Sequence, residues 1–411
     1  MDAALRESLS LACRWLTERS MWQEDQLPAE QNPYGLAHSN WRGAMREYDA
    51  QKGRWLVFGP AWHTGQTVKA LVLAHRVLGE SWLLDGARRA AAFLMRERVS
   101  DHNDPDFGLI HAPEGAGPNG VNEPNHETVT SGILETLDGL MLLSDETGDG
   151  TYGQAALDAL RWVERKTFLR EEGLFLDLYD PHARIARSLP GMTQRPNPLP
   201  GRPLLDDGVF LKGFQRTGDT RMRDVFYRTA ERLLRDENPP GNFILYTPSN
   251  YLRDRHHPRH AYWWGRPMVM AWKDSGDRRF LECARRAGRW YVNAQRLDGG
   301  FFRKTDSKFK TASFGHATSG ILYAAALWHD LMVEGEGDEF REPLRLALSF
   351  GLRMQFTRPR DENLRGAILE KVLPPEGTDR PPFMIRDVGT FAYVQALCLA
   401  LMDGCLEARL S

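Results

Sequence analysis

His63, Gln66, His126, Glu127, Asp206, Asp207, Tyr262, Trp264, Arg266, His316, Arg386 and Asp387 share one setting: each lies where a polar or aromatic cluster runs straight into an apolar helical stretch. Paired carboxyls of this kind suit general acid/base work, provided that burial or a neighbouring negative charge keeps one of them protonated near neutral pH. Asp206 beside Asp207 offers the second route. An Asp at a helix start is often only an N-cap, but two in a row after Leu204-Leu205 are less simply explained that way. His63 and His316 begin apolar helices next to glycine, a position for a buried structural histidine or for a proton shuttle. Tyr262 and Trp264 offer flat apolar faces suited to a sugar ring, although core packing consumes most aromatic residues. Arg266, two residues after Trp264, carries a planar fork that fits a substrate carboxylate or an interhelical salt bridge.

Several chemistries find no support. The chain has no glycine-rich phosphate loop at a strand-to-helix turn, no G-x-S-x-G elbow and no Cys/His nucleophile set. The HHPRH run from His256 lacks the spacing of a helical histidine pair with a carboxylate, so no metal and no cofactor are expected. Cys13, Cys283, Cys398 and Cys405 sit in helical patterns and read as buried thiols in a reducing compartment. A net charge of -2 gives no electrostatic reason to expect nucleic acid or a membrane surface as partner. The N-terminal MDAALRESLSLACRWLTER is amphipathic rather than continuously apolar, so a cytoplasmic protein is expected. What remains is acid/base chemistry on an oligosaccharide or small glycoside, by a monomer or a homo-oligomer.

Six places in the chain must be brought together for this to work. Helical periodicity predicts about twelve helices in alternating roles. Amphipathic stretches cover about 2–19, 80–98, 152–167, 220–235, 278–295 and 339–355. Between them, about 63–78, 127–145, 206–216, 263–274, 316–331 and 386–403 are apolar nearly all round and must be enclosed. Connections from an enclosed helix to the next amphipathic one are short, and TGDGTY from Thr147, TGDTRM from Thr217 and SGDRRF from Ser275 combine a glycine stop with an aspartate cap. The return connections are long, so the long loops gather at one end together with the candidate residues. An all-α fold is predicted, a single domain over 1–411 that resembles the (α/α)6 toroid, with an open two-domain helical array as the alternative.

The motifs also resemble a known group. HETVTSGILETLDGLMLLSDETGDGTY, LLDDGVFLKGFQRTGDTRM, WWGRPMVMAW and FGHATSGILYAAAL are similar to segments of the six-hairpin glycosidases, above all the unsaturated glucuronyl and rhamnogalacturonyl hydrolases. Glu127 falls where those families carry Asp, and Pro267 replaces the glycine of their Trp-x-Arg-Gly signature. The resemblance implies hydrolysis of a terminal uronic acid. Asp206 is then the principal acid and Glu127 the second carboxylate, with Asp207 beside them. His63, Gln66, His126, Tyr262, Trp264, Arg266 and His316 would line the substrate pocket. For an unsaturated substrate the implied reaction is hydration of the C4=C5 bond; for a saturated glucuronide it is acid/base attack across the glycosidic bond. N-acylglucosamine and cellobiose epimerases share such a toroid, and for them His63, His316 and Arg266 would be the actors. A uronate polysaccharide lyase is a third reading.

Overall fold

A computed structural model of the protein describes residues 3–114, 126–188, 199–303, 305–310, 317–372, 383–385 and 387–404. Helices alternate along the chain as the periodicity predicts. The amphipathic set comprises α1 (Ala3–Arg14), α3 (Ser81–Arg96), α5 (Gly150–Thr167), α7 (Thr220–Asp236), α9 (Arg278–Ala294) and α11 (Arg341–Arg353). In α7, for example, Met222, Val225, Phe226, Thr229, Ala230 and Leu233 are buried, a single stripe at helical spacing. The enclosed set comprises α2 (Pro60–Leu78), α4 (Thr130–Thr147), α6 (Val209–Thr217), α8 (Arg266–Ser275), α10 (Thr318–Val333) and α12 (Asp387–Met402). Every residue of α2 from Pro60 to Ala74 is buried, as is every residue of α12 from Asp387 to Cys398.

The enclosed helices form an inner ring. α2 packs on α4, α4 on α6, α8 on α10 and α10 on α12, and α12 returns to pack on α2. Between α6 and α8 the ring is completed by the segments that precede them, a 3-10 turn over Asp206–Gly208 and a π-helical stretch over Ala261–Gly265. Here the backbone departs from the continuous helices that periodicity predicts. Asp207 and Gly208 have φ of 51° and 63°, a left-handed pair that no α-helix can contain.

The turns and the close approaches follow from sequence chemistry. Gly148, Gly218 and Gly276 end α4, α6 and α8 in the left-handed conformation, and the carboxylates of Asp149, Asp219 and Asp277 accept the N–H of Thr151, Arg221 and Arg279. α2 and α4 meet through glycines: a Cβ at Gly139 would stand 2.2 Å from the Gly65 carbonyl oxygen, and one at Gly65 would stand 2.3 Å from Thr136 Cα.

At the loop-rich end a four-stranded antiparallel sheet joins the first and last long connections, with Glu47–Asp49 between Arg54–Leu56 and Phe383–Ile385, and Lys371–Val372 outermost. Thr128–Val129, Leu178–Asp180 and Ile185–Arg187 form a second sheet there. Cys13, Cys283 and Cys398 are buried free thiols; Cys405 lies outside the described residues. Among the described residues no helix is long and apolar enough to cross a membrane.

Candidate active site

A small pocket opens where α4, the Asp206 turn and the π-helical stretch converge, lined by Ser131, Glu135, Arg202, Asp206, Trp263 and Trp264. Asp206 is only 1% exposed, and neither it nor Asp207 caps α6, whose N-cap is Gly208. Its Oδ2 is buried without a hydrogen-bond partner among the described residues. Burial, reinforced by the Asp207 carboxylate, raises the Asp206 carboxyl to about 7 against opposition from its own backbone N–H and from Arg202.

The second acid in this cavity is Glu135, which sits a turn and a half inside α4. Burial first, and then the charge of Asp206, push its carboxyl well above the usual carboxylate range, while Arg259 and the Trp263 indole oppose the shift. Trp263 Nε1 donates to Glu135 Oε1 at 3.2 Å. Glu135 is thus raised by burial and by Asp206, and Asp206 by burial and by Asp207, so the pair retains a proton at pH values where a solvated pair would be fully ionised.

Asp207 has a different task. It is held by Lys69, by Tyr262, whose hydroxyl donates to Oδ2 at 2.7 Å, and by Gln66 Nε2 at 3.1 Å. Lys69 also lies 2.9 Å from Asp138, which is 2.5 Å from Lys212, so two lysines and two aspartates balance in one buried network. The Lys69 ammonium is kept charged by Asp138 and Asp207 against the strong opposing effect of burial. Gln66 Nε2 further donates to the Glu135 backbone carbonyl at 2.7 Å, tying the network to α4. This hub fixes the left-handed turn on which Asp206 sits.

Several residues expected at the site lie elsewhere. Glu127 precedes the short strand before α4 rather than opening the helix, and Arg187 holds both its oxygens. His126 is half-exposed beside Asp180 and His182. Arg266 makes the interhelical salt bridge, with Nε 2.7 Å and Nη2 3.2 Å from Asp330 of α10. Tyr262 and Gln66 face the hub rather than the cavity, Tyr262 stacking on Tyr323 at 4.4 Å. Trp264 does line the cavity, its indole N–H held by the Pro203 carbonyl at 2.9 Å. His316 and Arg386 lie outside the described residues.

His63 is fully buried, its Nδ1 2.6 Å from Asp387 Oδ1 and its Nε2 3.9 Å from Glu47. These three are the group among the described residues that could hold a cation, with donor atoms within 4.8 Å of one another. His260 of the HHPRH run has a structural role: its Nδ1 meets Asn242 Oδ1 at 2.7 Å and its Nε2 meets Ser249 Oγ at 3.1 Å.

Glu135 is the functional candidate that attention to helix starts passes over. Its signal is present in sequence: an ionisable residue inside a helix with almost no polar face must have a partner or a task. Arg202 had no such mark.

No protein-family model matches the chain, and no curated protein matches it. Solved structures do. An unsaturated glucuronyl hydrolase from Bacillus sp. GL1 aligns with a TM-score of 0.65 and 15% identity over 98% of this chain and 96% of that one. An unsaturated glucuronyl hydrolase specific for heparin gives 0.64 and 14%, covering 98% and 99%. The protein has the fold of these structures, an (α/α)6 toroid. A D-mannose isomerase matches equally well, with a TM-score of 0.64 and 10% identity over 98% of both chains. Hydrolases and an isomerase thus share this toroid, and the fold by itself does not choose between their activities.

Proposed function

We propose that the protein is a glycoside hydrolase that removes a terminal uronic acid, an unsaturated glucuronyl residue or a glucuronide, from an oligosaccharide. The observation that carries this reading is the Asp206–Glu135 pair, two buried carboxyls with raised proton affinity in one cavity walled by Trp263 and Trp264. Asp206 is the proton donor, because its Oδ2 has no partner among the described residues. Glu135, which accepts the Trp263 indole N–H at 3.2 Å, takes the proton of the attacking water in the state in which Asp206 carries the proton of the pair.

On an unsaturated uronate, Asp206 delivers its proton to C4 as the double bond opens, and water adds at C5 while losing a proton to Glu135. The hemiketal so formed opens and releases the aglycone; one water is consumed and the two carboxyls end with their proton exchanged. On a saturated glucuronide the same pair would protonate the leaving oxygen and activate water at the anomeric carbon. The likeness to glucuronyl hydrolases supports the first substrate.

The test is incubation with an unsaturated glucuronyl disaccharide, following the absorbance of the ring double bond. Loss of that band with release of the reducing-end sugar is expected. A persistent band, together with formation of an epimer from a free sugar, would replace this reading with the epimerase one.

A further inference from the structure

Three arginines approach the inner end of the loop-rich face, and two of them are already answered by acids. Arg266 is paired with Asp330. Arg202, which lines the cavity, has its Nε 2.6 Å from Asp177 Oδ1 and its remaining nitrogens near the Thr247 carbonyl and Ser131 Oγ. Arg259 differs from both. Among the described residues it has no ion pair, and its guanidinium lies between two indoles, 5.9 Å from the ring centre of Trp62 and 5.7 Å from that of Trp263.

Cation–π contacts orient a guanidinium but leave its N–H fork open to a planar anion. Trp263 is the cavity wall that also hydrogen-bonds Glu135, so the fork stands beside the acid pair, and its field is felt at Glu135. With a proton retained on the pair, the acids do not fully answer this positive charge. A half-buried cation in that position is best compensated by an anion brought by the ligand.

We propose that Arg259 binds the carboxylate of the substrate and sets the preference for a uronic acid over the corresponding neutral sugar. The inference rests on the reading of the cavity as a sugar site, but not on which reaction occurs there. It moves the carboxylate contact from Arg266, the sequence candidate, to a residue two helical turns earlier.

Calorimetric titration of the whole protein with D-glucuronate and with D-glucose tests it, using wild type, Arg259→Gln and Arg259→Lys. Wild type should bind glucuronate more tightly than glucose. Arg259→Gln should weaken glucuronate binding by about tenfold or more while leaving glucose unchanged, as loss of a charge-assisted contact predicts. Arg259→Lys should fall between the two. Unchanged glucuronate affinity in Arg259→Gln, an equal loss for both sugars, or a wild type that does not prefer glucuronate would each overturn the assignment. Intact glucuronate preference in a protein that leaves both the unsaturated disaccharide and a saturated glucuronide untouched would reject the hydrolase reading and leave Arg259 in place.

Discussion

Burial at Asp206 trades stability for reactivity, and the trade has a definite pH window. The carboxyl has an ordinary value of 3.8 and is raised to about 7 in the fold. Below about pH 4 both folded and unfolded chains carry the proton, and nothing is lost. As pH rises toward 7 the unfolded chain releases a proton that the folded chain still holds, so stability falls through this window and stays low above it. Asp206→Asn should therefore abolish turnover yet stabilise the protein at about pH 8 by an amount on the order of a few kcal/mol, with little gain at about pH 4. Urea unfolding at the two pH values reads this directly; an equal gain at both would disconnect the effect from ionisation. Wild-type turnover should decline above about pH 7 as the acid is lost. The second carboxylate is decided by a pair of variants. Glu135→Gln should lower kcat by roughly a hundredfold or more. Glu127→Gln, which loses only its half-exposed partner Arg187, should keep near-normal kcat. The reverse ranking would return the role to Glu127.

Inner helices hold these residues by approaching each other closely. Gly65 and Gly139 let α2 and α4 come together, and that approach places Gln66 against the Glu135 carbonyl and sets where the acid stands. Gly139→Ala, a helix-favouring substitution in isolation, should instead destabilise the protein by about 1–3 kcal/mol, since the added methyl meets backbone that cannot yield. A denaturation midpoint at or above wild type would contradict such close packing. Much at this scale is legible in sequence. Thr147-Gly148-Asp149 and its two counterparts state a helix stop and a helix start in consecutive residues, and the structure contains both at each place. The turn at Asp206–Gly208 and the π-helical stretch at Ala261–Gly265 are not legible. Their conformations are set by partners distant in sequence, Lys69 and Gln66 on α2 for Asp207 and Pro203 and Tyr323 for the aromatic residues.

Closure of the ring is a property of the whole chain. α12 packs on α2, and Gln395 Nε2 donates at 3.0 Å to both the backbone oxygen and Oε1 of Gln66. The last helix thereby orients the amide that supports the acid site on the opposite part of the sequence. A chain ending before Asp387 should lose its cooperative thermal transition, because α2 and α10 would then expose faces that are buried in the ring. A truncated protein that still melts in one sharp transition would show that closure is dispensable. The sequence by itself determined the alternation of enclosed and amphipathic helices, the capped turns and the gathering of long loops at one end, because periodicity, caps and glycine stops act within a few residues of one another. It also pointed to Asp206. Only the tertiary structure decided which acid stands opposite it, that Asp207 and Arg266 are consumed in ion pairs, and that Arg259 lacks a paired acid among the described residues. Those outcomes depend on which charges meet across helices far apart in the chain, and on how deeply burial removes them from water.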